Sequence, residues 1–168
     1  LQDTLAEMME QGLILDAQVA QNETQRRKMW ERREAAAEVT YARKPLIDTD
    51  IALPLHLVDA AMTALVARLP ALDPRADTFT VGHLGDGNLH FSVYPSRDDP
   101  ALAAQVIEMV EDVVAELGGS FSAEHGVGLS KLPSMARRKD PVALDVMRAV
   151  KLALDPGNLM NPGKVLPD

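Results

Sequence analysis

Thr78-Phe79-Thr80-Val81-Gly82-His83-Leu84-Gly85-Asp86-Gly87-Asn88-Leu89-His90-Phe91-Ser92-Val93-Tyr94 is the stretch on which the fold turns. Its ends, residues 78–81 and 89–94, are rich in β-branched and aromatic side chains, which pack well on a pleated surface. Between them His83 to Asn88 form a glycine-rich turn, so the stretch reads as two adjacent strands joined head to tail. Helices flank it. Residues 55–69 place Leu57, Val58, Ala61, Leu65 and Val66 on one face, and residues 100–117 form a second helix stopped by Gly118 and Gly119. Short extended pieces are expected at 48–54 and 120–123. Further out, residues 1–12 read as a helix closed by Gly12, 13–19 as a partly alternating strand, 21–39 as a helix and 141–154 as a last helix. The tail beyond Leu154 has proline and glycine at turn spacing. From Leu13 to Ala123 the order strand–helix–strand–strand–helix–strand fits a ferredoxin-like split βαβ arrangement. The expected fold is α+β, an antiparallel sheet with helices packed on one face.

Composition narrows the function. The 168 residues suffice for one domain, 1–168, and the 46% hydrophobic and 25% charged fractions are ordinary for a globular chain. The net charge of −8 argues against nucleic acid. Arg26, Arg27 and Lys28, and again Arg137, Arg138 and Lys139, form basic clusters, but acidic residues surround both. The absence of cysteine removes disulfides, thiolate metal sites and thiol nucleophiles. No apolar run reaches about 18 residues and no signal peptide opens the chain. It starts abruptly in helical periodicity at Leu1-Gln2-Asp3-Thr4, as a piece of a longer protein would.

Three of the four histidines lie in two glycine-rich motifs. In a hairpin, His83 and His90 can place their imidazoles at the same end, where neutral rings on rigid strand ends suit a divalent ion such as zinc. The bland alternative is a pair of turn-flanking histidines bonded to backbone. Glu124-His125-Gly126-Val127-Gly128 offers a carboxylate beside a histidine. In an extended segment their side chains diverge, so one would face a metal and the other a substrate. Two histidines and one carboxylate leave an open coordination position, as a catalytic ion needs. The alternative is a helix-start carboxylate next to a solvent-facing ring. His56, at a helix start, reads as structural or surface.

Gly82 to His90, then Ala123-Glu124-His125-Gly126-Val127-Gly128, then Asp155-Pro156-Gly157-Asn158-Leu159-Met160-Asn161-Pro162-Gly163-Lys164 stand in that order. With Gly12 to Asp16, Val19 to Gln21 and Trp30…Arg33-Glu34, they resemble the C-terminal domain of FAD-linked oxidases of the vanillyl-alcohol-oxidase superfamily. That family includes D-lactate dehydrogenase, the D subunit of glycolate oxidase and D-2-hydroxyglutarate dehydrogenase. The resemblance implies His83, His90 and Glu124 as ligands of a divalent metal, zinc before iron or manganese. It implies His125 as general base, Arg33 as the anchor of a substrate carboxylate and Asn161 as a flavin-facing residue. FAD would be held mainly by an N-terminal FAD-binding domain of the same full-length chain, so this chain alone should be inactive.

The implied reaction oxidises a D-2-hydroxy acid (lactate, glycolate or 2-hydroxyglutarate) to the 2-oxo acid. The substrate would chelate the metal through hydroxyl and carboxylate oxygens, and hydride would leave for the flavin. A homodimer is allowed for, and a cytoplasmic location, peripheral to a membrane where the electron acceptor requires it, is expected. The alternative is a non-catalytic metal-binding or subunit-docking module. Three positions depart from relatives acting on 2-hydroxyglutarate. Asp48 replaces a lysine ahead of Asp50 and Leu53-Pro54, Ser92 an asparagine and Ala37 a threonine.

Overall fold

The decisive stretch forms the hairpin expected of it: β2 (Asp77–His83) and β3 (Asn88–Tyr94) pair antiparallel, with His83 opposite Asn88. The computed structural model describes residues 1–83 and 85–167, so turn residue Leu84 and the last tail residue, Asp168, lie outside the described residues. A third strand, β1 (Ile47–Ala52), pairs antiparallel along the other edge of β3, giving the sheet order β1-β3-β2.

Register divides the sheet into two unlike faces. Ile47, Thr49 and Ile51 stand opposite Val93, Phe91 and Leu89 on one face. All of these but Thr49 join the buried core. The helices α4 (Val58–Leu72) and α5 (Pro100–Glu116) cover that face with Ala61, Leu65 and Leu69, and with Leu102, Val106, Val110, Val113 and Val114. Asp99 caps α5 by accepting from the Ala101 N–H at 2.9 Å, and Pro100 starts it. The segment Leu55–Leu72 has the length and composition of a membrane span, but its Ala61–Leu65–Leu69 stripe is core. Because side chains alternate along a strand, the opposite face carries Asp48, Asp50, Asn88, His90, Ser92 and His83.

The segment 120–123, expected as a strand, contributes only one antiparallel bridge, Ser120 to Ala52. That bridge lies beside β1, so the spatial order is that of the ferredoxin-like plan with its last strand reduced to one rung. The reason is local. Gly119 is so close to Ala52 that an added Cβ would stand 2.4 Å from the Ala52 carbonyl oxygen. Beyond Ser120, the Ala123 amide is shared between the Asp50 main-chain carbonyl and the Asp50 carboxylate, and the Glu124 and His125 amides bond to the carboxylate alone, where a ladder would otherwise continue.

A short helix, α6 (Leu132–Arg138), has no counterpart in the sequence reading. Seven residues with a proline near the start form no stable helix alone. Tertiary contact holds them. The buried Glu111 carboxylate on α5 accepts from the Ser134 hydroxyl, from Arg137 at 3.0 Å and from Arg138 at 3.2 Å.

The chain divides into two compact units, Leu1–Ala42 and Arg43–Asp168. The first holds α1 (Gln2–Glu10), closed by Gly12 at φ +69°, α2 (Glu23–Glu34) and α3 (Ala36–Tyr41). Asn22 caps α2 by accepting from the Gln25 N–H at 3.0 Å. Residues 13–19 are irregular and not the expected strand; Leu13 is 65% and Leu15 97% exposed, so their alternation has no sheet to face. The expected 21–39 helix breaks at Ala35, where ψ near zero ends the ladder. Nothing in the helix-forming run Ala35-Ala36-Ala37 marks that break.

In the second unit, α7 (Pro141–Leu154) leads into the tail through Asp155, whose buried carboxylate accepts from Lys151 and from the amides of Leu159 and Met160. These bonds, Lys151 foremost, hold its pKa down to about 2.

Two outcomes follow from this packing. Gly87 closes the β2–β3 turn at φ +78°, and an added Cβ would meet the Leu53 carbonyl oxygen at 2.0 Å. Gly87→Ala should therefore destabilise by about 2 kcal/mol or more in urea unfolding, combining left-handed strain with overpacking; an unchanged midpoint would mean that the turn does not approach Leu53. Asp155 is ionised in the folded chain at pH values where the unfolded chain protonates it. Its stabilising contribution is thus complete above about pH 4 and is lost as pH falls toward about 2. Carboxyl-carbon NMR should show that low midpoint, and Lys151→Met should raise it; a midpoint indifferent to Lys151 would contradict the assignment.

Candidate metal centre

His83 ends β2 and His90 lies in β3, and the antiparallel register sends both rings to the polar face. Their Nε2 atoms stand 3.3 Å apart, with the rings edge-to-face at 82°. Glu124, from the irregular segment after the Ser120 bridge, brings Oε1 to 3.0 Å from His90 Nε2 and 3.8 Å from His83 Nε2. Tetrahedral ligands bonded to an ion at about 2.0–2.2 Å lie about 3.3–3.6 Å from one another. The three separations straddle that value, and the donor set of two imidazoles and one carboxylate suits a borderline divalent ion.

His125 does not join that trio. Its ring stacks on His90, with centroids 5.1 Å apart and planes 25° apart, and its Nε2 lies 3.7 Å from Glu124 Oε1. Both Glu124 and His125 are 53% exposed, so the mouth of the site is open. The stack on His90 supplies the packing support that the neighbouring glycines cannot. On its Nδ1 side stands Asp50, whose Oδ2 is 4.0 Å away.

Asp50, His90 and His125 also bring ligand atoms within 4.8 Å of one another, a second grouping able to hold an ion by distance alone. The lone pairs of Asp50 are already used. Oδ1 accepts from Asn88 Nδ2 at 2.9 Å and from the Glu124 N–H at 3.3 Å. Oδ2 accepts from the Ala123, Glu124 and His125 amides at 3.2, 3.2 and 2.9 Å, and from Lys131 Nζ at 3.1 Å. A carboxylate offers about four lone-pair sites, so this one has no capacity left for an ion. Burial pushes the Asp50 carboxyl upward, but the His125 amide, Asn88, Lys131 and the Glu124 amide outweigh it and hold it well below the usual carboxylate range. Asn88 has a second feature: its Oδ1 is buried without a hydrogen-bond partner among the described residues.

The other expected site residues lie elsewhere. Arg33 is on α2 in the first unit, where its guanidinium meets Glu34 at 3.0 Å. Asn161 lies in the tail at φ +48°, on an open, largely apolar groove of about 700 Å³ lined by Val146, Val150, Leu154 and Val165. His56 is exposed on a short 3-10 turn (Leu55–Leu57), away from any metal-ligating group among the described residues. Asp50, Asn88 and Lys131 were not foreseen as parts of the site. Their one sequence signal was an aspartate placed between the core residues Ile47 and Ile51 at the period of the polar face.

Curated relatives align along nearly the whole chain. A D-2-hydroxyglutarate dehydrogenase of Stutzerimonas stutzeri is 34% identical over 167 residues, covering 96% of this chain and 36% of the relative. The mitochondrial D-2-hydroxyglutarate dehydrogenase of Rattus norvegicus is 33% identical over 168 residues, covering 99% and 31%. A probable mitochondrial D-2-hydroxyglutarate dehydrogenase of Oryza sativa subsp. indica is 31% identical over 167 residues, covering 99% and 29%. The chain thus spans about a third of the length of the curated relatives it matches. Residues 1–165 match the family model described as FAD linked oxidases, C-terminal domain, and to that family the chain belongs.

Proposed function

We propose that this domain is the substrate- and metal-binding part of an FAD-dependent dehydrogenase of a D-2-hydroxy acid. The observation that carries the reading is the convergence of His83 Nε2, His90 Nε2 and Glu124 Oε1 within 4.8 Å on the open polar face of the sheet. A divalent ion in that position supplies Lewis-acid polarisation of the substrate hydroxyl. FAD, when bound, would supply the hydride acceptor, taking the Cα hydrogen with its electron pair.

The chain's own residues supply the rest. His83, His90 and Glu124 hold the ion and leave it a position for a chelating hydroxy acid. His125 is not needed as a ligand, lies at the open mouth and takes the hydroxyl proton on Nε2. The Asp50 charge on the Nδ1 side offsets the positive charge that the ring then carries. Arg33 is the proposed carboxylate anchor, as the resemblance implies, because its guanidinium offers a bidentate fork to a carboxylate.

The glycine-rich turn does not fit FAD phosphates, because Gly87 is packed against Leu53. The FAD phosphates are assigned to an N-terminal FAD-binding domain of the full-length protein, and Asn161 to a place near the flavin, as the family resemblance implies. The substrate is of the lactate, glycolate or 2-hydroxyglutarate type. Asp48 and Ser92, two of the departures from relatives, stand opposite each other on the polar face and share a 2.7 Å hydrogen bond. A carboxylate there disfavours a second substrate carboxylate over β1, which favours the monocarboxylic acids.

In the full-length protein, His125→Ala should lower kcat for D-2-hydroxy-acid-dependent dye reduction by about 10²–10⁴-fold and leave metal content intact. His90→Ala should lose metal and activity together, since it removes one of three protein ligands. Metal analysis beside turnover separates the roles. If His125→Ala is stripped of metal while Glu124→Ala keeps it, base and ligand are exchanged; if wild type holds metal but turns over no hydroxy acid, the domain is a binding module.

A further inference from the structure

Three consecutive amides, those of Ala123, Glu124 and His125, converge on one carboxylate, that of Asp50. Successive backbone N–H groups aimed at one point form an anion-binding concavity; here the anion belongs to the chain itself. The segment needs such an anchor. It carries no regular structure, and it continues into Gly126 and Gly128, both at positive φ. Without the Asp50 carboxylate, the Glu124 and His125 amides lose these partners, Ala123 keeps only the Asp50 main-chain carbonyl at 3.2 Å, and the glycine-bearing backbone beyond has many alternatives of similar energy.

The anchor also stands in a telling place. Asp50 is opposite His90 across the β1–β3 ladder. One rung therefore presents His90 to the site directly and, through the Asp50 carboxylate, fixes the backbone from which Glu124 and His125 project. Lys131 closes the arrangement from the far side. Its Nζ donates to Asp50 Oδ2 at 3.1 Å and to Ser122 Oγ at 2.8 Å, and the Ser122 hydroxyl donates to the Gly126 carbonyl at 2.8 Å.

We propose that Asp50 is a positioning residue: it holds Glu124 and His125 against His83 and His90 without itself binding ion or substrate. The inference rests on the metal-centre reading above. Its physical basis is that Asp50 is 3% exposed, saturated with donors and bonded to the backbone of two site residues.

The test uses the full-length protein and zinc ion as the probe, with affinity read by competition against a chromophoric chelator. Asp50→Asn keeps the shape but sets an amide N–H₂ against N–H donors. It should weaken zinc by about 10–100-fold, the usual effect of removing a group that orients ligands, and lower kcat with it. Leu65→Ala, a core truncation on α4 that lowers stability without touching residues 120–138, should keep wild-type zinc affinity. Unchanged affinity in folded Asp50→Asn overturns the proposal, as does an equal loss in Leu65→Ala, the mark of a general loss of stability. If Asp50→Asn does not fold, Asp50→Glu, which retains the charge but moves the acceptor by one methylene, carries the same comparison. A wild-type protein that takes up no zinc removes the metal-centre reading, and amide exchange then decides. Faster exchange confined to Glu124 and His125 in the Asp50 variant supports the anchor, and wild-type rates there overturn it.

Discussion

A carboxylate withdrawn from water is a costly neighbour for a hydrophobic core, yet Asp50 sits 3% exposed beside Ile51. Desolvation costs several kcal/mol per ion unless hydrogen bonds and an opposite charge compensate. Here they do, and the compensation organises the molecule. The donors come from the start of β3 (Asn88), from the irregular segment (the amides of Ala123, Glu124 and His125) and from the approach to α6 (Lys131). Four parts of the second unit meet at one side chain. Glu111 does the same between α5 and α6, at 4% exposure, through Ser134, Arg137 and Arg138. Between them the two buried carboxylates fasten residues 120–138, a region with one bridge and one short helix.

The sheet turns this fastening into a site. Alternation along β1 and β3 gives Ile47, Ile51, Leu89, Phe91 and Val93 to the core and Asp48, Asp50, His90 and Ser92 to the other side. A slip of one residue would exchange the two sets, burying histidines and exposing Phe91. The packing that stabilises the fold is therefore the same packing that aims the imidazoles. Chemistry and stability share a register without sharing side chains.

That division explains what could be read in advance. His83 and His90 are seven residues apart in a turn-linked pair of strands, so local pattern allowed their rings to lie at one end of the hairpin. Glu124 lies 34 residues beyond His90 and was reached through its motif. Asp50 and Lys131 are 81 residues apart, and no local pattern reports such a pair. The same limit accounts for the rest. α6 exists because of Glu111, a partner on another helix. The extended segment after Gly119 yields its ladder to the Asp50 carboxylate. In the opposite sense, residues 13–19 show the alternation of a strand, but alternation is only half of a strand; a neighbour must offer the other half of its hydrogen bonds.

Gly119 gives the site a hidden point of failure. No ion or substrate would touch it, and it lies five residues before Glu124. Its contribution is an absence: without a Cβ, the chain comes close enough to Ala52 for Ser120 to bridge it, and the bridge delivers the next residues to Asp50. One added methyl would collide with the Ala52 carbonyl and with Val114, a core side chain of α5. Among homologous genes, such a change would leave every histidine and carboxylate of the motif legible while the third arm of the site drifted away. An intact motif is therefore incomplete testimony to an intact centre, and inheritance of function in this fold includes the inheritance of an empty space.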